Sequence, residues 1–89
     1  MEFEYDLRKS QANKTKHGLD FEEAKQIWED IDRLEVSVSR IVEGEERNLM
    51  IGRISGKIWT AVITRRGEAV RLISVRRAHN KEEDEYGRE

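Results

Sequence analysis

Two features of this 89-residue chain have residue types and spacing that could do chemistry. The first is KTKHGLDFEEA, Lys14 to Ala24, which sets His17 after a lysine and before a glycine. Histidine has an ordinary pKa near neutrality, so it can both take and give a proton. The placement also has a purely structural reading, because a cation at a helix C-terminus complements the macrodipole and the orphan carbonyls. Both readings are open at this level. The second feature is EAVRLISVRRA, Glu68 to Ala78, where Arg71, Arg76 and Arg77 are set among apolar residues. Arginine meets phosphate as a fixed fork and stays charged at any working pH, so a polyanion is the matching ligand. Other chemistries find no footing. There is no cysteine, no HxH or HExxH pattern joins His17 to His79, and neither a glycine-rich phosphate loop nor a GxSxG elbow occurs. No metal or cofactor is expected.

Composition bounds what can position these groups. A chain of this length holds one modest core, so a single domain over residues 1–89 is expected. It is 36% hydrophobic and 40% charged, polar yet with enough Ile, Val, Leu and Trp to fold. The N-terminus has no apolar signal region and no run reaches membrane-span length, which reads as a cytoplasmic protein. The net charge of -2 conceals segregation: residues 1–46 carry 7 basic against 13 acidic side chains, residues 47–80 carry 8 against 1, and residues 81–89 carry 2 against 5. A basic middle suits a local anion-binding surface. It would equally serve to keep exposed strands from aggregating.

The elements follow from periodicity. Phe3 and Tyr5 alternate with Glu2 and Glu4 as a short strand. Asp6 N-caps a helix running to about Lys16, with Gly18 as its left-handed C′ residue. Asp20 and Glu23 have capping-box spacing, and Phe21, Ala24, Ile27, Trp28 and Ile31 form one apolar stripe to be buried. From Leu34 the period becomes two, giving a strand through Val38, then strands near Arg47–Ile54, Lys57–Arg66 and Glu68–Ala78 joined by glycine turns. Asn80 and Glu83 repeat the capping spacing, so a short terminal helix is expected with Tyr86 as its anchor. The fold class is α+β: a small antiparallel sheet with helices packed on one face, in the order β-α-α-β-β-β-β with a possible short C-terminal helix. In the last strand, strict alternation sets Arg71, Ile73, Val75 and Arg77 on one side and Val70, Leu72, Ser74 and Arg76 on the other.

Taken together, these residues resemble the BrnT-type toxins, ribonuclease members of bacterial type II toxin-antitoxin pairs within the broader RelE-like fold. The resemblance rests on FEYD (Phe3 to Asp6), Asn13 with KHG (Lys16 to Gly18), FEEA (Phe21 to Ala24) with Asp30, GEER (Gly44 to Arg47) with Gly52, and RLISVRRA (Arg71 to Ala78) followed by Glu82 and Tyr86. Two aromatic or apolar departures stand at Tyr5 and Val75, and the tail KEEDEYGRE is acidic where such toxins are often basic. The resemblance implies an endoribonuclease that works without a metal, by attack of a ribose 2′-OH on the adjacent phosphate. That reaction needs a proton acceptor, cations over the phosphate and a donor to the leaving oxygen. It implies His17 for proton transfer, Lys16 beside it, Arg47 and Arg76 on the phosphate, and Tyr86 to stack or to donate a proton. Arg53, Arg71 and Arg77 would bind RNA. The implied partners are RNA and a BrnA-like antitoxin, with DNA met only through that antitoxin. A non-catalytic module binding RNA or an acidic peptide on the same arginine-rich sheet face is the competing reading. Trp59 reads as core or partner-facing, and Tyr86 reads as packing.

Overall fold

The structure, a computed structural model, describes residues 1–42 and 44–88, and the side chains of residues 39–43 lie outside the description. Strand β1 is Glu2–Glu4, helix α1 Leu7–His17, helix α2 Phe21–Ala24, and a 3-10 turn follows at Lys25–Glu29. Strands β2 (Leu34–Val42), β3 (Glu45–Ile54), β4 (Lys57–Arg66) and β5 (Ala69–Arg77) lead to helix α3 (Asn80–Tyr86). The order across the sheet is β1-β5-β4-β3-β2. The meander β2 to β5 is antiparallel, as its glycine turns predict, whereas β1 joins β5 in parallel and makes the sheet mixed. Three helices and a five-stranded sheet among the described residues give the expected α+β class.

Local chemistry sets the helix ends. The Asp6 carboxylate accepts from the amides of Arg8 (2.8 Å) and Lys9 (3.2 Å), capping α1. At the other end Gly18 has φ 86°, a conformation that a Cβ would strain, and its N–H returns to the Lys14 carbonyl at 2.9 Å. The capping box of α2 is complete: Asp20 accepts from the Glu23 amide at 2.7 Å, and Glu23 accepts from the Asp20 amide at 3.0 Å.

The main core lies between these helices and one face of the sheet, built from Phe21, Ala24, Ile27, Met50, Ile63, Leu72 and Val75 among others. Gly52 allows the close approach, since a Cβ there would lie 2.8 Å from the Ile27 side chain. Trp28 is half-buried edge-on against Phe3. Ile31, assigned to the buried stripe by its spacing, is instead 90% exposed. The reason is local: the helix tightens at Lys25 to three residues per turn and ends at Asp30, so the stripe stops before Ile31.

The last strand also departs from strict alternation. Val62 pairs with Ser74 but Ile63 pairs with Leu72, so Ile73 is an extra residue in β5. One extra residue reverses the parity beyond it. Val70, Leu72, Val75 and Arg77 therefore face the helices, while Arg71, Ser74 and Arg76 share the opposite face with Thr60, Val62 and Thr64. Nor is that opposite face simply an open arginine surface. Helix α3 covers one end of it, packing Tyr86 with Ile51 and Ile58 into a second small core. The N-cap of α3 is His79, one residue earlier than expected, and its amide donates to Glu82 at 2.8 Å.

Candidate active site

The sheet separates the eight residues that sequence patterns single out. Lys16, His17 and Arg77 belong to the helix-covered side. Arg47, Arg53, Arg71 and Arg76 alternate onto the other side, where Tyr86 packs from α3. They do not form one cluster.

Ion pairing then distinguishes the arginines. Arg76 grips Glu82 with both prongs, Nη1 to Oε1 at 2.8 Å and Nη2 to Oε2 at 2.9 Å. Thr60 Oγ1 donates to the same carboxylate at 2.9 Å. Burial would raise the Glu82 pKa, but Arg76, the His79 amide and Thr60 outweigh it and hold the carboxyl at about 2. Arg71 reaches Glu4 at 3.4 Å, Arg66 pairs with Glu45 at 3.2 Å, and Arg65 forks onto Glu35. Arg53 lies with its guanidinium 5.7 Å from the centre of the Tyr86 ring. The Nε of Arg47 is buried without a hydrogen-bond partner among the described residues. Tyr86 is likewise engaged, its hydroxyl donating to Asp30 Oδ2 at 2.6 Å. Burial, and then that carboxylate, push the phenol pKa up. These contacts tie Arg76 and Tyr86 into the packing of α3.

Lys16, His17 and Arg77 are positioned differently. Strand β1 runs parallel to β5 with Glu4 opposite Arg71, and α1 begins three residues later. Asn13 then meets β5 at Val75: its side chain donates to the Val75 carbonyl at 2.8 Å and accepts from the Val75 amide at 3.1 Å. It also donates to the Leu19 carbonyl at 2.7 Å, fixing the turn after Gly18. Asn13 thus anchors α1 beside Val75, two residues before Arg77 at the end of β5. Lys16 and His17 follow one turn later on α1, and Leu19, just past the KHG turn, shares a cleft with Lys57 and Trp59. Arg77 pairs with Trp59 across the strands, lays its guanidinium 5.6 Å from that ring centre and donates from Nε to the Ile58 carbonyl at 3.3 Å. Lys57 opens β4 two residues from Trp59 on the same side.

At this end Lys16, His17, Lys57 and Arg77 have no carboxylate partner among the described residues. An unpaired cation can spend its full field on a ligand, whereas one already neutralised must first give up a partner. Sequence patterns did not single out Lys57 for the site. The available signal was its place in the basic middle segment together with the spacing to Trp59, but pairing cannot be read from a sequence.

Residues 5–82 match the family model described as "Ribonuclease toxin, BrnT, of type II toxin-antitoxin system". The chain belongs to the BrnT family. Curated proteins yield no match. BrnT membership makes the chain a ribonuclease toxin of a type II toxin-antitoxin system, with RNA as substrate and an antitoxin as partner. The matched segment contains the KHG turn, β4, β5 and Glu82 and stops short of Tyr86. No helix among the described residues is long and apolar enough to cross a membrane. No metal-holding group of His, Asp or Glu occurs among them either.

Proposed function

We propose that this BrnT-family chain is an endoribonuclease that uses no metal ion and whose reacting phosphate lies at the end of the molecule shared by the KHG turn, Lys57 and Arg77. The observation that carries this reading is that Lys16, His17, Lys57 and Arg77 have no carboxylate partner among the described residues, whereas Arg65, Arg66, Arg71 and Arg76 are each paired. Arg47 and Arg53 also lack an ion pair among the described residues, but they lie on the other face, Arg47 with its Nε buried and Arg53 laid against the Tyr86 ring. In the reaction assigned here, His17 takes the proton from a ribose 2′-OH as that oxygen attacks the adjacent phosphorus. The bond from phosphorus to O5′ breaks, a solvent proton satisfies the leaving oxygen, and the products are a 2′,3′-cyclic phosphate and a 5′-hydroxyl end. Arg77, Lys16 and Lys57 stabilise the charge gathering on the phosphate oxygens. Helices on one face of an antiparallel meander support reading the fold as RelE-like. A BrnA-like antitoxin neutralises the toxin by covering this cationic end, and DNA is met only through it. The site of action is the cytoplasm, where RNA is available.

Incubating the purified protein with single-stranded RNA in EDTA, beside His17→Ala, tests the reading. Cleavage that survives EDTA, yields cyclic phosphate ends and disappears in the variant is the expected result. RNA binding with no cleavage by any preparation would instead favour a non-catalytic RNA-binding module.

A further inference from the structure

A cleft of about 350 Å³ opens beside the cationic end, walled by Leu19, Ile54 and Trp59. Gln26, Ser55, Glu23 and Lys57 border it. Leu19 is two residues after His17, and Trp59 carries Arg77 on its ring, so the cleft adjoins the groups assigned to the phosphate. Its lining differs from that of three other clefts. Two of those contain Arg65, already forked onto Glu35, and a third sets Glu29 and Asp30 against Arg53. Here three apolar walls meet a rim of four polar side chains, of which Lys57 has no carboxylate partner among the described residues.

We infer that this cleft is a nucleobase subsite, which takes the base of a nucleotide adjoining the scissile phosphate. Every base has an apolar π-face suited to the walls and polar edge groups suited to the rim. The Leu19, Ile54 and Trp59 side chains take the face. The Gln26 amide and the Ser55 hydroxyl take the edge as donor or acceptor. Glu23 accepts from Lys14 and from the Asp20 amide through Oε1 alone, which leaves Oε2 for a base N–H. Lys57 and Arg77 meet the phosphates on either side of that base. The inference rests on the proposed placement of the reacting phosphate.

Trp59 is a built-in reporter, because Trp28, the other tryptophan, packs against Phe3 on a different part of the helix layer. In a Trp28→Phe background, a 2′-O-methyl RNA trinucleotide, which cannot be cleaved, should quench Trp59 fluorescence saturably. An abasic oligomer of equal charge should bind about tenfold more weakly. Gln26→Ala, an exposed position, should weaken the base-containing oligomer about fivefold and leave the abasic one unchanged. If Trp28→Phe folds poorly, the two indole N–H resonances of the wild-type protein give the same readout. Equal affinity for the two oligomers, binding that leaves Trp59 undisturbed, or no binding would overturn the subsite. Base-dependent quenching without RNA cleavage would refute the proposed reaction and keep the subsite. Cleavage with no difference between the oligomers would do the reverse.

Discussion

Arg76 and Glu82 hold helix α3 on the sheet through a two-pronged ion pair, with N···O distances of 2.8 and 2.9 Å. The pair is mostly shielded, its side chains 24% and 12% exposed, so water screens it little.

Glu82→Gln should therefore destabilise the protein by about 3 kcal/mol, at the low end for a buried pair that loses one charge. Arg76 would keep its charge in a site built for a carboxylate. Urea unfolding followed by circular dichroism measures the change, and a loss within about 0.5 kcal/mol of zero would mean the pair is worth no more than a surface contact.

The same carboxylate sets an acid limit. Its folded pKa is depressed, to about 2 against an ordinary 4.5, so its contribution is full above 4.5 and is lost as the pH falls through the folded value. Stability should fall progressively between about pH 4.5 and pH 2, on the order of 3 kcal/mol of it through Glu82. Glu35, whose pKa Arg65 holds down, adds to the same slope. Urea midpoints across this range should fall less steeply in Glu82→Gln, and an equal slope in the two proteins would contradict the assignment.

Tyr86→Phe separates packing from proton donation. The phenyl ring keeps its place over Ile51 and Ile58, and only the hydrogen bond to Asp30 is lost, a cost of about 1.5 kcal/mol for a bond to a charged acceptor. RNA cleavage should be unchanged at a temperature where both proteins are folded. A large fall in rate under those conditions would return Tyr86 to the chemistry.

Asn13→Ala should act through position. It leaves the Val75 amide and two carbonyls in the interior without their partners, at a cost of about 2 to 3 kcal/mol. It also frees the end of α1. Backbone amide exchange should rise over residues 14–19 more than in the sheet, and uniform loosening would show that Asn13 does not fix the KHG turn.

These residues show what was legible beforehand. The caps at Asp6, Gly18 and Asp20, the change of period at Leu34 and the order of elements were readable because each follows from local chemistry. Ile31 and the faces of β5 were not, since a 3-10 tightening and a single bulged residue at Ile73 reset the phase without leaving a mark in residue type. For the site, residue types point to the cations as a class, yet which of them are paired depends on tertiary partners. Arg71 and Arg77 sit in one heptapeptide, and among the described residues only Arg71 has a carboxylate beside it.

That contrast supplies the most direct measurement. Cleavage of one single-stranded RNA in EDTA, compared as kcat/KM between Arg77→Ala and Arg71→Ala, weighs the unpaired end against the paired one. Arg77→Ala should lower it by about a hundredfold, as for loss of a group that stabilises developing charge. Arg71→Ala should change it by less than about threefold, since Glu4 already occupies that guanidinium. The opposite order, with Arg71→Ala inactive and Arg77→Ala near wild type, would contradict the placement of the reaction at the KHG end.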